Sequence, residues 1–179
     1  NPDLLLSVLQ GKTEAVGHAN VLRLSKFAET AIGKKDLGRV EACQKNISNR
    51  ELTGMREFNL SRLIEMVRFF TAEGEWKTKL NKLLFYADFF AYRELGKSIS
   101  GTRYVIGTFG PIPEGQELLY SSLEQAKVIQ RREKFTRETG EPVEKLYSTN
   151  QVSRRIFSLK ELKILESVQA FFSKMSARD

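Results

Sequence analysis

Lys77-Thr-Lys-Leu-Asn-Lys-Leu-Leu-Phe-Tyr-Ala-Asp-Phe-Phe-Ala-Tyr-Arg-Glu-Leu95 is the stretch on which the fold turns. It contains neither Gly nor Pro, and Gly96 follows it, a residue type that commonly stops helices. The spacing predicts a helix beginning near Lys77 or Thr78, with Thr78 as N-cap, and running to about Leu95. From Leu83 to Tyr92 the text is apolar nearly all round, broken by Asp88. A helix of that kind is buried on most sides, so this one is expected at the centre of the molecule. Five of the eighteen aromatic residues (Phe85, Tyr86, Phe89, Phe90 and Tyr92) fall within it, and core packing is the ordinary role of such phenylalanines. Lys79, Lys82 and Tyr86 share one face at i, i+3 and i+7. That face is too polar to be buried cheaply without partners. Two readings stay open for it, an exposed recognition strip or a contact with the loop Gly110-Pro-Ile-Pro113.

Working outward, Leu60, Leu63, Ile64, Val67 and Phe70 follow helical spacing, widened by Met66 and Phe69. This helix is expected to start at Asn59 and to stop at Gly74. Downstream, Tyr104-Val-Ile106 favours a strand, and Gly107 to Gly115 is rich in breakers. Pro111 and Pro113 lack N–H donors, so the sequence places neither in the middle of a strand or helix. A helix is expected over 114–126, then strands at Val128–Arg132 and Leu146–Thr149 around a turn near Gly140-Glu-Pro142. Ser158-Leu-Lys-Glu161 is a capping-box pattern, opening a last helix that buries Leu162, Leu165, Val168 and Phe172. The first 58 residues read as short helices rather than a packed domain. Asp3 can cap one from Leu4 to Gln10, another runs from Ala19 to Ile32, and 34–58 is mixed and polar. The division that follows is a helical arm over 1–57 and a mainly helical α+β domain over 58–179.

The 179 residues are 41% apolar and 28% charged, a balance that supports a buried core and excludes disorder and collagen-like repetition. Cys43 and His18 are the sole residues of their types, which rules out an intrachain disulfide, a Cys-rich zinc cluster and a His/His metal motif. The paired carboxylates Glu73 with Glu75 and Glu138 with Glu141 lie in charged, solvated stretches, where nothing would raise a pKa for acid–base work. Gly107 to Gly115 lacks the Lys-Ser/Thr that completes a phosphate loop. No catalytic, cofactor or metal site is expected, and the chain does not read as an enzyme.

Net charge is +7, with nine Lys/Arg against seven acids up to Phe58 and twenty against fifteen after it. Lys127, Arg131, Arg132, Lys134 and Arg137 cluster, as do Arg154 and Arg155. A nucleic-acid groove wants interleaved aromatics, and Phe135 is the one nearby candidate. The ordinary reading is a solvated strand face, and an acidic protein partner would suit the same charge. No apolar run approaches the roughly 20 residues of a membrane span, and Asn1 to Leu9 lacks the marks of a signal peptide. A reduced, cytoplasmic setting fits this best. A chain that opens on Asn rather than Met reads as a fragment or a processed product.

Lys79-Leu-Asn-Lys-Leu-Leu-Phe-Tyr-Ala-Asp88, Gly96-Lys-Ser-Ile-Ser-Gly101, Tyr104 and Gly110-Pro-Ile-Pro113 together resemble the Panacea domain, the antitoxin-associated family that includes the SocA-like proteolytic adaptor. The resemblance covers about two thirds of the chain. It implies a mostly helical domain with a small β element that neutralises a cognate toxin by direct binding. It also implies candidate partner-binding residues at Lys79, Lys82, Tyr86, Asp88, Tyr104, Gly110, Pro111 and Pro113. Members often carry a helix-turn-helix domain in front, and Asn1 to Leu9 resembles the helix that closes one. On that basis DNA binding belongs to a missing N-terminal domain, and the arm can pair two copies in a homodimer. Many relatives carry a Ser-His motif before a final Trp, which these residues lack. Two other functions stay open, a proteolytic adaptor that delivers a toxin to a protease and a DNA-binding regulator of its own operon.

Overall fold

A computed structural model of the chain describes residues 36–45, 50–135 and 142–173. Residues 36–45 form helix α1. A 3-10 turn, Arg50–Thr53, leads to α2 (Leu60–Phe70). Then come β1 (Glu75–Trp76), α3 (Lys77–Leu95), β2 (Tyr104–Gly107), β3 (Gly110–Pro113) and α4 (Gln116–Gln125). Strands β4 (Ile129–Phe135) and β5 (Pro142–Ser148), a 3-10 turn at Arg154–Ile156 and helix α5 (Leu159–Phe172) complete it. The architecture is α+β and mainly helical. The helices expected at Leu4–Gln10 and Ala19–Ile32 and the turn at Gly140-Glu141 lie outside the described residues.

The core forms where these elements turn their apolar sides to α3. Leu80, Leu83, Leu84, Ala87 and Ala91 of α3 are buried against Leu63, Met66, Val67 and Phe70 of α2 and Leu119, Tyr120 and Leu123 of α4. Ile129, Leu146, Leu165, Val168 and Phe172 close the same cluster. Helix α1 joins it despite its polar text. Val40 is buried there, Gln44 Nε2 donates to the Glu114 carbonyl (2.9 Å), and the Arg103 N–H donates to Gln44 Oε1 (2.9 Å). Only one side of α3 is covered completely, since Phe89 is 46% exposed and Tyr92 is exposed beside it.

Three strands pair antiparallel in the order β1-β5-β4, and β2 pairs with β3 in a separate hairpin. Sheet pairing explains most boundary differences. Trp76, held opposite Lys145 on β5, is the N-cap of α3, and it makes no side-chain cap. Thr78 therefore sits inside the first turn rather than capping it. Helix α2 starts as expected, with Asn59 Oδ1 accepting from the Arg62 N–H (3.0 Å). It ends at Phe70, with Thr71 as C-cap, so Gly74 lies beyond the helix. Helix α4 waits until Gln116 because Glu114 still donates its N–H to the Arg103 carbonyl (2.9 Å), extending the hairpin ladder. Strands β4 and β5 are each longer than expected, because cross-strand pairing runs from Ile129 opposite Ser148 to Phe135 opposite Pro142.

Pro111 and Pro113 correct the sequence reading, for both lie in β3, opposite Ile106 and Tyr104. The two-residue turn Thr108-Phe109 is closed by the pair Gly107 and Gly110. Hydrogen-bonded pairs then alternate outward, so the prolines fall where a strand N–H would point away from β2. They cost the ladder nothing. The Ser158 capping box forms as read, with Ser158 Oγ accepting from the Glu161 N–H (3.3 Å) and Glu161 Oε2 accepting from the Ser158 N–H (2.7 Å). Leu165, Val168 and Phe172 of α5 are buried, and Leu162 is partly so.

Candidate partner-binding site

Gly96 ends α3 in the left-handed conformation (φ 72°), and the chain turns back so that Ser98-Ile-Ser100 lies over Asp88. Asp88 Oδ1 accepts the N–H groups of Ile99 (2.7 Å) and Ser100 (2.8 Å). Its Oδ2 accepts the hydroxyls of Ser100 (2.5 Å) and Tyr104 (2.8 Å). The loop's carbonyls are met from the other side. Arg56 Nε donates to Ser98 O (2.6 Å), Arg62 Nε to Ile99 O (2.6 Å), and the Asn59 N–H to Ser100 O (2.8 Å). Both arginines end on Glu161, at 3.0 Å from Arg56 and 2.5 Å from Arg62. Close approach requires Gly101 (φ +73°), where a Cβ would stand 2.5 Å from the Glu57 carbonyl oxygen.

Burial pushes the Asp88 carboxyl above its ordinary value, against four hydrogen bonds that pull it down. Burial first, and then the adjacent Asp88 charge, push the Tyr104 phenol well above its usual range. Both oxygens of Asp88 are filled by protein donors. Asp88 thus anchors the hairpin through Tyr104.

The eight residues read from the sequence do not form one exposed strip. Lys79 is largely covered and faces Glu75 at 3.6 Å. The Lys82 stem runs beside Gly110, where a Cβ would meet Lys82 Cε at 3.9 Å. Tyr86 stacks on Phe90 (5.9 Å) and Phe172 (4.9 Å), which ties it to α5. Asp88 and Tyr104 meet directly, Gly110 and Pro111 are half-buried, and Pro113 is buried. The structure thus joins Asp88 to Tyr104 and Lys82 to Gly110, and it sets Lys79 toward β1.

Sequence reasoning missed the most exposed part of this region. Ile106 is 96% and Phe109 73% exposed, and Val105 is exposed between them and the anchor. Phe85 packs edge-on against Tyr104 (5.3 Å) and stacks with Phe89 (6.0 Å), so the helix and hairpin aromatics are continuous. The signal was partial, since Thr108-Phe109 has two-residue hairpin spacing after the β-favouring Tyr104-Val-Ile106, but the prolines mask the second strand. The Glu161 clamp had no comparable signal beyond its capping box. Among the described residues, no three of His, Cys, Asp and Glu come together in a way that could hold a metal ion. Nor is any helix among them long and apolar enough to cross a membrane.

Fold and site define a small, mainly helical α+β domain that presents an aromatic helix face and a rigidly anchored hairpin. Residues 80–179 match the family model described as antitoxin SocA-like, Panacea domain. The chain belongs to that family, and membership points to an antitoxin-type function. The matched span holds every candidate residue but Lys79. No curated protein and no solved structure matches the chain.

Proposed function

We propose that the chain is an antitoxin that neutralises a cognate toxin by direct protein–protein binding, through the β2–β3 hairpin and the adjoining face of α3. The observation that carries this reading is the exposure of Ile106 (96%) and Phe109 (73%) on a hairpin pinned by Tyr104 to the buried Asp88. Large apolar side chains grouped in solvent mark interaction surfaces, and a preordered hairpin loses little entropy on docking. Lys82, Tyr86, Gly110 and Pro111 form the rim of this surface. Asp88, Tyr104 and Pro113 hold it from beneath, and Lys79 fixes the start of α3 through Glu75.

The test is the pair of variants Ile106→Asp and Phe109→Asp, co-produced with the toxin encoded in the neighbouring reading frame. Toxin co-purification and protection of growth should both fall at least about tenfold, as for loss of a central apolar anchor. The melting temperature should hold, because both side chains stand in solvent. Undiminished binding, or binding lost only in step with stability, would overturn the reading. The toxin's half-life separates blocking from delivery to a protease, since blocking leaves it unchanged.

A further inference from the structure

We propose that the outward face of the β1-β5-β4 sheet binds single-stranded nucleic acid. This goes beyond the toxin-binding reading and uses none of the hairpin residues. Side chains alternate across a sheet, so register decides what shares a face. Trp76 pairs with Lys145, Lys145 with Arg132, Tyr147 with Gln130, and Val143 with Lys134. These seven residues therefore stand on one side, while the buried Leu146 and Ile129 mark the other. Glu133 and Glu144 have the parity of the buried side, so among the described residues the outward face carries Arg132, Lys134 and Lys145 and no acid.

The cations of the two faces are used differently. Arg131, on the inner side, is tied to Glu144 (2.5 Å) and Glu124 (3.2 Å), and Lys77 to Glu117 and Glu144. Among the described residues Arg132, Lys134 and Lys145 have no carboxylate partner. Instead Lys145 Nζ lies 5.6 Å from the centre of the Trp76 ring and 5.3 Å from that of Tyr147. Arg132 Cζ lies 4.8 Å from the Tyr147 ring. Tyr147 in turn backs onto Gly74, where an added Cβ would fall 2.2 Å from the ring. The result is a row of ring, cation, ring, cation. It is fixed from behind and open to solvent at Gln130, Arg132 and Lys134.

This positive charge is complementary to a polyanion, and interleaved aromatic rings suit unstacked bases rather than a carboxylate-rich protein surface. Adjacent strands are about 4.8 Å apart, so three strands give room for two or three nucleotides. On binding, Arg132 and Lys145 would leave the rings for phosphates, and bases would take their place. In the sequence Phe135 is the aromatic nearest this basic cluster, yet its parity puts it on the opposite face. Pairing brings in Trp76 and Tyr147 instead.

Trp76 is the chain's single tryptophan, so its fluorescence reports on this face alone. Titrating the full chain with fluorescein-labelled U12 should give binding, with quenching of Trp76 by unlabelled U12. Three phosphate contacts on a single strand, at a slope of about 0.7 each, weaken affinity roughly 20-fold between 50 and 200 mM salt. The double variant Arg132→Glu/Lys134→Glu, at exposed positions, should weaken binding at least about tenfold. The same charge change at exposed Lys160 and Lys163 on α5 should move it less than about twofold. Absence of binding at 50 mM salt, or binding by the wild type without Trp76 quenching, overturns the proposal whatever the variants do. Equal losses in the two double variants would reduce it to diffuse charge, and equal affinity for polyglutamate would make the face a surface for acidic protein. Either result also overturns it.

Discussion

Asp88 and Glu161 grip the same loop from opposite sides, and they do so with opposite electrostatics. Both carboxylates are buried, at 4% and 5% exposure. Asp88 takes only neutral donors, two backbone N–H groups and two hydroxyls. Glu161 takes two guanidinium groups and the Ser158 N–H. Burial therefore wins at Asp88 and raises its carboxyl above the ordinary value. At Glu161 burial is outweighed by the Ser158 N–H and Arg62, and the carboxyl falls below its ordinary value. Side-chain exposure alone does not set the direction of the shift. Depth of burial and the donors around the acid decide it together.

The widest break in this comparison is Asp88→Ala. It strands the N–H groups of Ile99 and Ser100 away from water and frees Tyr104, so denaturant unfolding should show a loss of about 3–5 kcal/mol. A loss under about 1 kcal/mol would mean that the loop is held from the arginine side. Glu161→Gln should cost less, about 2–3 kcal/mol, because Arg56 and Arg62 keep their bonds to Ser98 and Ile99.

The two sites also respond to pH with opposite sign. Asp88, raised on folding, binds its proton more tightly in the folded state, so its contribution grows as pH falls and is lost as pH rises through its folded value. Glu161, lowered on folding, contributes fully above its ordinary 4.5 and loses that contribution as pH falls through its folded value. Stability measured against pH should then show a shallower acid limb in Glu161→Gln and a steeper one in Asp88→Ala. Matching limbs in the two variants would refute the distinction. The smallest effect belongs to Ser158→Ala, which removes only the cap that orients Glu161. A loss of about 1 kcal/mol, with an acid limb only slightly shallower because the Ser158 hydroxyl is the least of the groups that lower Glu161, would separate capping from the ion pair.

Much of this was legible in the residues. The aromatic text of α3 announces a central helix, Ser158 announces its capping box, and the four spaced motifs announce the family. Most of the misplaced boundaries share one cause. Local preference misplaces Thr78 and the prolines of β3, and cross-strand pairing overrides it. Of the candidate residues, Asp88 and Tyr104 meet each other in the structure, a contact that the text could not show. Ile106 and Phe109 were passed over because exposure is not written in a dipeptide.

The sequence by itself determined what short-range physics controls: helix periodicity, the Ser158 capping box and the lack of paired His or Cys chemistry. Only the tertiary structure decided which buried acid meets arginines and which meets hydroxyls, and that Trp76, Lys145, Tyr147 and Arg132 share one face. Those outcomes depend on donors and rings brought together from distant parts of the chain. Electrostatic and stacking energies are set by separations in space, and spacing along the chain does not encode them.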